Sequence, residues 1–107
     1  MKSTISNLLL SLGIPSTRRG HRYLCRALEL CLENEDYLLS VYKTLYVDVA
    51  EHFGESRANV EHCMRAAVSY CWNNGNRELL QQIAKYPLDS KPRTGEFLDI
   101  LYHHLIS

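Results

Sequence analysis

One stripe of apolar residues constrains this chain more than any other feature. Val60, Cys63, Met64, Ala67, Val68, Cys71 and Trp72 recur at i, i+3, i+4, i+7, i+8, i+11 and i+12. That spacing puts all seven side chains on one side of a helix. A strand would need strict alternation, which the segment lacks. A long amphipathic helix cannot bury its stripe alone, so the rest of the chain has to supply partners for it.

The partners show the same periodicity. Ile5, Leu8, Leu9 and Leu12 form one face of a first short helix. Gly13-Ile14-Pro15 is a stop signal, because glycine accepts a left-handed cap and proline cannot continue a helix. Ser16 or Thr17 is then expected to cap a second helix from about Arg18 to Asn34, which carries Leu24, Ala27, Leu28, Cys31 and Leu32. Tyr37 to Tyr46 is expected to be a third helical piece, with Leu38, Tyr42 and Leu45 in one row. Tyr46, Val49, Ala50 and Phe53 make a short face that ends at Gly54, and Asn74-Gly75-Asn76 closes the long helix. Arg77 to Lys85 is another short helix, and Thr94 is expected to cap a last one with Phe97, Leu98, Leu101 and Leu105 inward. No segment alternates apolar and polar with turn chemistry. The expected fold is therefore all-α, a compact domain of six to seven helices spanning 1–107.

Composition excludes several classes. The chain is 46% hydrophobic and 22% charged, unlike a disordered tail. Its longest apolar runs, such as Leu8–Leu10, are too short to span a membrane. Twelve basic and twelve acidic side chains cancel, which argues against attachment to nucleic acid by bulk charge. The charges are nonetheless segregated. Lys2, Arg18, Arg19, Arg22 and Arg26 precede the first acid, and Glu29, Glu33, Glu35 and Asp36 follow as a block. Cys25, Cys31, Cys63 and Cys71 lack the two-to-four-residue gap of a metal knuckle, and the five histidines form no ligand pattern. No cofactor, metal or catalytic set is expected, and the chain is not expected to be an enzyme.

The segment from about 46 to 72 has the features of a helix-turn-helix. Gly54 suits a tight turn between two helices, and Ala50 provides a small side chain where they cross. Val60 and Cys63 anchor the second helix, and Val49 with Phe53 completes the small core. With the apolar stripe removed, the outward face is Arg57, Ala58, Asn59, Glu61, His62, Arg65 and Ser69, behind a capping Ser56. Arginine, asparagine and histidine can donate to base edges or phosphates, and glutamate can accept from cytosine.

Ordered agreement along about Ile5 to Leu105 adds a further clue. The pieces are Leu12-Gly13-Ile14-Pro15, Gly20, Tyr23-Leu24 and Ala27, then Lys43-Thr44-Leu45-Tyr46-Val47-Asp48-Val49-Ala50 with Phe53. Val60-Glu61, Arg65, Ala67, Trp72 through Gly75-Asn76, Lys91-Pro92 and Glu96-Phe97 continue it. In these the chain resembles the C-terminal DNA-binding effector domain of the stage-zero sporulation transcription factor, a response regulator of endospore-forming bacteria. The resemblance implies a sequence-specific, cytoplasmic and nucleoid-associated transcription regulator. Its implied partners are double-stranded DNA, RNA polymerase and a second copy on tandem sites. It places base and phosphate contacts on Ala58, Asn59, Glu61, His62 and Arg65. Asn59 and His62 depart from the family, which carries arginine at both, so a shifted DNA box and weaker binding are expected. Ser56 and Arg57 complete the expected contact set, and Arg18, Arg19, Arg22, Lys91 and Arg93 are candidate phosphate contacts. The family's receiver domain has no room in this chain, whether it is an excised domain or a receiver-less relative, so binding independent of phosphodonors is expected. The alternative is a helical protein–protein interaction module that kept the fold and lost DNA.

Overall fold

The computed structural model describes residues 2–107. Six α-helices run in chain order: α1 Lys2–Ser11, α2 Arg19–Glu33, α3 Tyr46–Phe53, α4 Arg57–Asn74, α5 Arg77–Ala84 and α6 Thr94–Ile106. A 3-10 segment, Glu35–Leu39, and a π-helical segment, Val41–Leu45, link α2 to α3. No strand occurs among the described residues.

Helix α2 is the central element and packs against α1, α3, α4 and α6. Its buried Leu24, Ala27, Leu28 and Cys31 share one core with Ile5, Leu9, Val60, Met64, Ala67 and Phe97. The stripe on α4 is therefore buried as its spacing predicts, with Val60, Met64 and Cys71 fully covered. Cys63 and Trp72 lie at the edge of the core.

Two close approaches fix how the helices cross. A Cβ on Gly20 would stand 2.3 Å from the Cys63 carbonyl oxygen and 2.7 Å from the Ala67 Cβ. Only glycine lets α2 come this near to α4. At the C-terminal end of α4, a Cβ on Gly75 would stand 2.4 Å from the Leu12 carbonyl oxygen. The Asn76 N–H donates to that same carbonyl at 2.9 Å, so the chain after α4 is tied to the end of α1. Buried His21 ties α1 to α2: its Nδ1 lies 2.9 Å from the Ile14 carbonyl and its Nε2 lies 3.0 Å from Ser6 Oγ.

Four local expectations are corrected. The N-cap of α2 is Arg18, with no side-chain capping bond, so neither Ser16 nor Thr17 caps it. Residues 37–46 are not one α-helical row. The 3-10 and π turns there bury Leu45 and leave Tyr42 half-exposed. Arg93 rather than Thr94 precedes α6. Thr94 is buried, and its hydroxyl faces Tyr46 instead. Gly75 ends α4 as expected, in extended backbone, and contact with α1 is what demands glycine there. Phe53 is 37% exposed and lies against the rim of the core, its ring 5.0 Å from that of Tyr23.

Three tyrosine–carboxylate bonds hold the periphery. Tyr37 donates to Asp48 at 2.5 Å, Tyr102 to Glu35 at 3.4 Å and Tyr86 to Glu96 at 2.6 Å. The Glu96 bond, aided by partial burial and nearby carboxylates, pushes the Tyr86 phenol up to about 12 from its ordinary 10.0. The bond needs the protonated phenol, so its contribution is complete below the ordinary tyrosine value. It declines once the unfolded phenol ionises, and is gone as pH rises through about 12. An ultraviolet phenolate titration should therefore show a late step, and Tyr86→Phe should shrink it, leaving the share of Tyr23, Tyr37, Tyr46 and Tyr102, whose phenols are also raised. Burial also pushes the Cys31 and Cys71 thiols up to about 11, in keeping with packed, protonated side chains.

Candidate nucleic-acid interface

Helices α3 and α4 meet across a turn built by local chemistry. Gly54 caps α3 in the left-handed region at φ 65°, with open space where a Cβ would stand. Its requirement for glycine is thus conformational, not steric. The Glu55 N–H returns to the Ala50 carbonyl at 2.9 Å and closes α3. Ser56 then caps α4, its Oγ accepting from the Asn59 N–H at 3.1 Å. Ser56→Ala should destabilise the fold by about 1 kcal/mol, read as a lowered thermal midpoint.

The outward face of α4 holds its side chains in defined places. The Arg57 guanidinium stacks over the Tyr42 ring, 4.1 Å from its centroid. Ala58 and His62 are exposed beside it. Arg65 Nη1 donates to Glu61 Oε1 at 2.9 Å, an i,i+4 pair that aligns both along the helix. Asn59 is half-buried and committed within the protein: its amide donates to Glu55 at 2.9 Å, and the Cys63 thiol donates to its Oδ1 at 3.8 Å.

Cations from distant segments stand on both sides of this face. On one side Arg18 stacks on Tyr70 at 4.0 Å and Arg19 lies 3.9 Å from Glu55. Both line a recess of about 250 Å3 with His62, Cys63 and Ala66. On the other side Lys91 and Arg93 share a cavity of about 550 Å3 with Tyr42, Tyr46, Glu61 and Arg65. Lys91 Nζ donates to Ser69 Oγ on α4 at 2.7 Å, which anchors the proline-bearing loop to the helix. A chain with no net charge thereby gathers Arg18, Arg19, Arg57, Arg65, Lys91 and Arg93 around one helix, against Glu55 and Glu61. Arg22 is placed elsewhere, in a cavity with Ser6 of α1 and His52 and Phe53 of α3.

Residues 5–105 match the model of the family described as sporulation initiation factor Spo0A C terminal. The chain belongs to that family. As a member of the Spo0A C-terminal family it is a DNA-binding domain of the transcription-regulator type, and the match spans nearly all of its length. No helix among the described residues is long and apolar enough to cross a membrane. No described group of histidine, cysteine, aspartate and glutamate is arranged to hold a metal ion.

Sequence reasoning missed the aromatic shelves of this Spo0A-type surface. Tyr42 and Tyr70 carry Arg57 and Arg18, and Glu55 ties Arg19 and Asn59 together. Tyr70 is far from Arg18 in the chain, so no spacing could pair them. Tyr42 sits on the π segment, where α-helical spacing assigns its side chain to the wrong direction.

Proposed function

We propose that this chain is a sequence-specific transcription regulator of the sporulation-initiation type. It reads a short DNA box with α4 of a helix-turn-helix at about 46–72. The observation that carries the reading is the placement of cations on both flanks of α4 in a chain of zero net charge. A helix lying in the major groove has a phosphate strand on each side, and flanking cations meet both. Arg18 and Arg19 serve one strand, and Lys91 and Arg93 the other. Arg57, Ala58, Glu61, His62 and Arg65 face the bases, with Glu61 and Arg65 acting as a hydrogen-bonded unit. Asn59 supports the first turn of α4 through Glu55 and reaches the groove only by exchanging that partner.

Asparagine and histidine at 59 and 62, in place of the arginines the family resemblance implies, remove two strong guanine readers. The preferred box is accordingly shifted. Binding needs no phosphodonor, cofactor or metal. Two copies on tandem sites and contact with RNA polymerase complete the regulatory role, which belongs in the bacterial cytoplasm at the nucleoid.

Fluorescence anisotropy of this chain should show selective binding to a tandem family-type box or to a variant enriched from a randomised pool. That binding should weaken steeply as salt rises. Equal affinity for a scrambled duplex would remove sequence reading. Absence of binding to every duplex at low salt would leave a protein-interaction module as the better account.

A further inference from the structure

Behind the turn between α3 and α4 lies a cavity of about 270 Å3 separate from the surface assigned above to DNA. Ser6 and Ser16 line it from the first helix and its connection, Arg22 and Arg26 from α2, and His52 and Phe53 from the end of α3. Arg22 is exposed and has no ion pair within 4.0 Å among the described residues. Arg26 is half-buried and short of acceptors. Its Nη1 stands 3.6 Å from Glu29, beyond hydrogen-bond distance, and its Nε is hidden from solvent with no acceptor. A buried N–H in that condition is destabilising. Buried His21 has no donor to spare, since both ring nitrogens already face Ile14 and Ser6. The outer nitrogens of the two guanidiniums, with the exposed His52 ring beside them, are therefore the groups that can meet an anion.

The surrounding charge limits what kind of anion fits. Glu29 lines the same cavity, and Asp48 and Glu51 line an adjoining hollow with Arg26 and His52. Within the cavity Arg22 and Arg26 exceed the one lining carboxylate by a single charge, and the acids of the adjoining hollow disfavour a second anion charge, so one negative charge fits better than two. Phe53, partly exposed, and Cys25 supply apolar wall beside the charged donors. We propose that this cavity binds a compact apolar monocarboxylate, its carboxylate on Arg22 and Arg26 and its body against Phe53. The site does not depend on the DNA reading. Phe53 ends α3 immediately before Gly54, so occupancy is felt at the turn that sets α4.

A proton–nitrogen NMR titration of the whole chain with sodium benzoate, at constant ionic strength, tests this. The expected result is saturable shifts that cluster at Ser6, Ser16, Arg22, Phe53 and Gly54. Sodium chloride and sodium phosphate in parallel should give only linear drift. R22Q should weaken benzoate binding about tenfold, as loss of one charged hydrogen-bond donor does. Arg22 is exposed, so this variant keeps the fold, and R26Q should weaken binding by at least as much. Non-saturating benzoate shifts, or identical curves for wild type, R22Q and R26Q, would overturn the site. Saturation by phosphate at lower concentration than benzoate would overturn the monocarboxylate assignment.

Discussion

Gly20→Ala lowers the stability of the fold by about 3 kcal/mol, and the thermal midpoint by roughly 15 °C. Two effects oppose each other at this position. Alanine is favoured over glycine by about 1 kcal/mol in a helix interior, and by less here, since Gly20 stands in the first turn of α2. Against that, the new methyl carbon would sit 2.3 Å from the Cys63 carbonyl oxygen and 2.7 Å from the Ala67 Cβ. The first of these neighbours is backbone, so it cannot rotate away as a side-chain tip can. Helix α4 would have to move outward, and it shares the core with α2 through Val60, Met64 and Ala67. Overpacking wins because it disturbs a whole interface rather than one side chain. Gly95→Ala is the matched control: its Cβ would meet only Val41 Cγ2, at 3.9 Å, in ordinary contact. Circular-dichroism melts should show that variant unchanged or slightly stabilised. A Gly20→Ala protein that melts at or above the wild-type temperature would show that α2 and α4 are not so closely crossed.

The same contrast explains which parts of the molecule are legible in the sequence. The stripe on α4 is local information, since its seven positions announce one buried face whatever lies opposite. Gly54 and Ser56 are local too, because a left-handed cap and an N-cap need only their own backbone. Thr94 reads as a cap from its own neighbours, but its hydroxyl faces Tyr46, a partner on another element. The π segment is invisible to α-helical spacing because one widened turn resets the angle at which later side chains emerge. Its Thr44 hydroxyl and N–H both return to the Ser40 carbonyl, and so does the Leu45 N–H at 3.4 Å. At the site, the outward face of α4 is readable from periodicity alone. Its flanks are not, because Arg18 and Lys91 reach α4 only through the packing of α2 and of the loop before α6. Net charge was the most misleading quantity. It averages over a surface whose acids lie mostly away from α4, on the block from Glu29 to Asp36 and along α3.

Arg65→Ala should have the largest single effect on DNA affinity, a loss of about 10- to 100-fold on the preferred box. Arg65 is held by Glu61 at 2.9 Å and borders the cavity shared with Lys91 and Arg93, so it stands where the row proposed to face bases meets the loop proposed to face phosphates. Its removal costs a donor and also frees Glu61, whose carboxylate would then face the groove without a partner. Repulsion between that carboxylate and the phosphates adds to the loss. Glu61→Gln placed on Arg65→Ala should therefore recover part of the affinity, and the double variant should be tighter than Arg65→Ala alone. Lys91→Ala makes the useful comparison. It should weaken preferred and scrambled duplexes alike, by a few-fold, and lower the salt slope by about one. Arg65→Ala should instead narrow the gap between the two duplexes, because a base reader contributes mainly to the preferred one. Tyr42→Ala should mimic a milder loss at Arg57, since the guanidinium is held by a ring 4.1 Å away and a stack of this kind is worth about 1 kcal/mol. Tyr42→Phe keeps the ring and should restore the wild-type value. Equal losses on both duplexes from Arg65→Ala would move that residue from reading bases to holding phosphate, and would leave Arg57 and His62 as the readers.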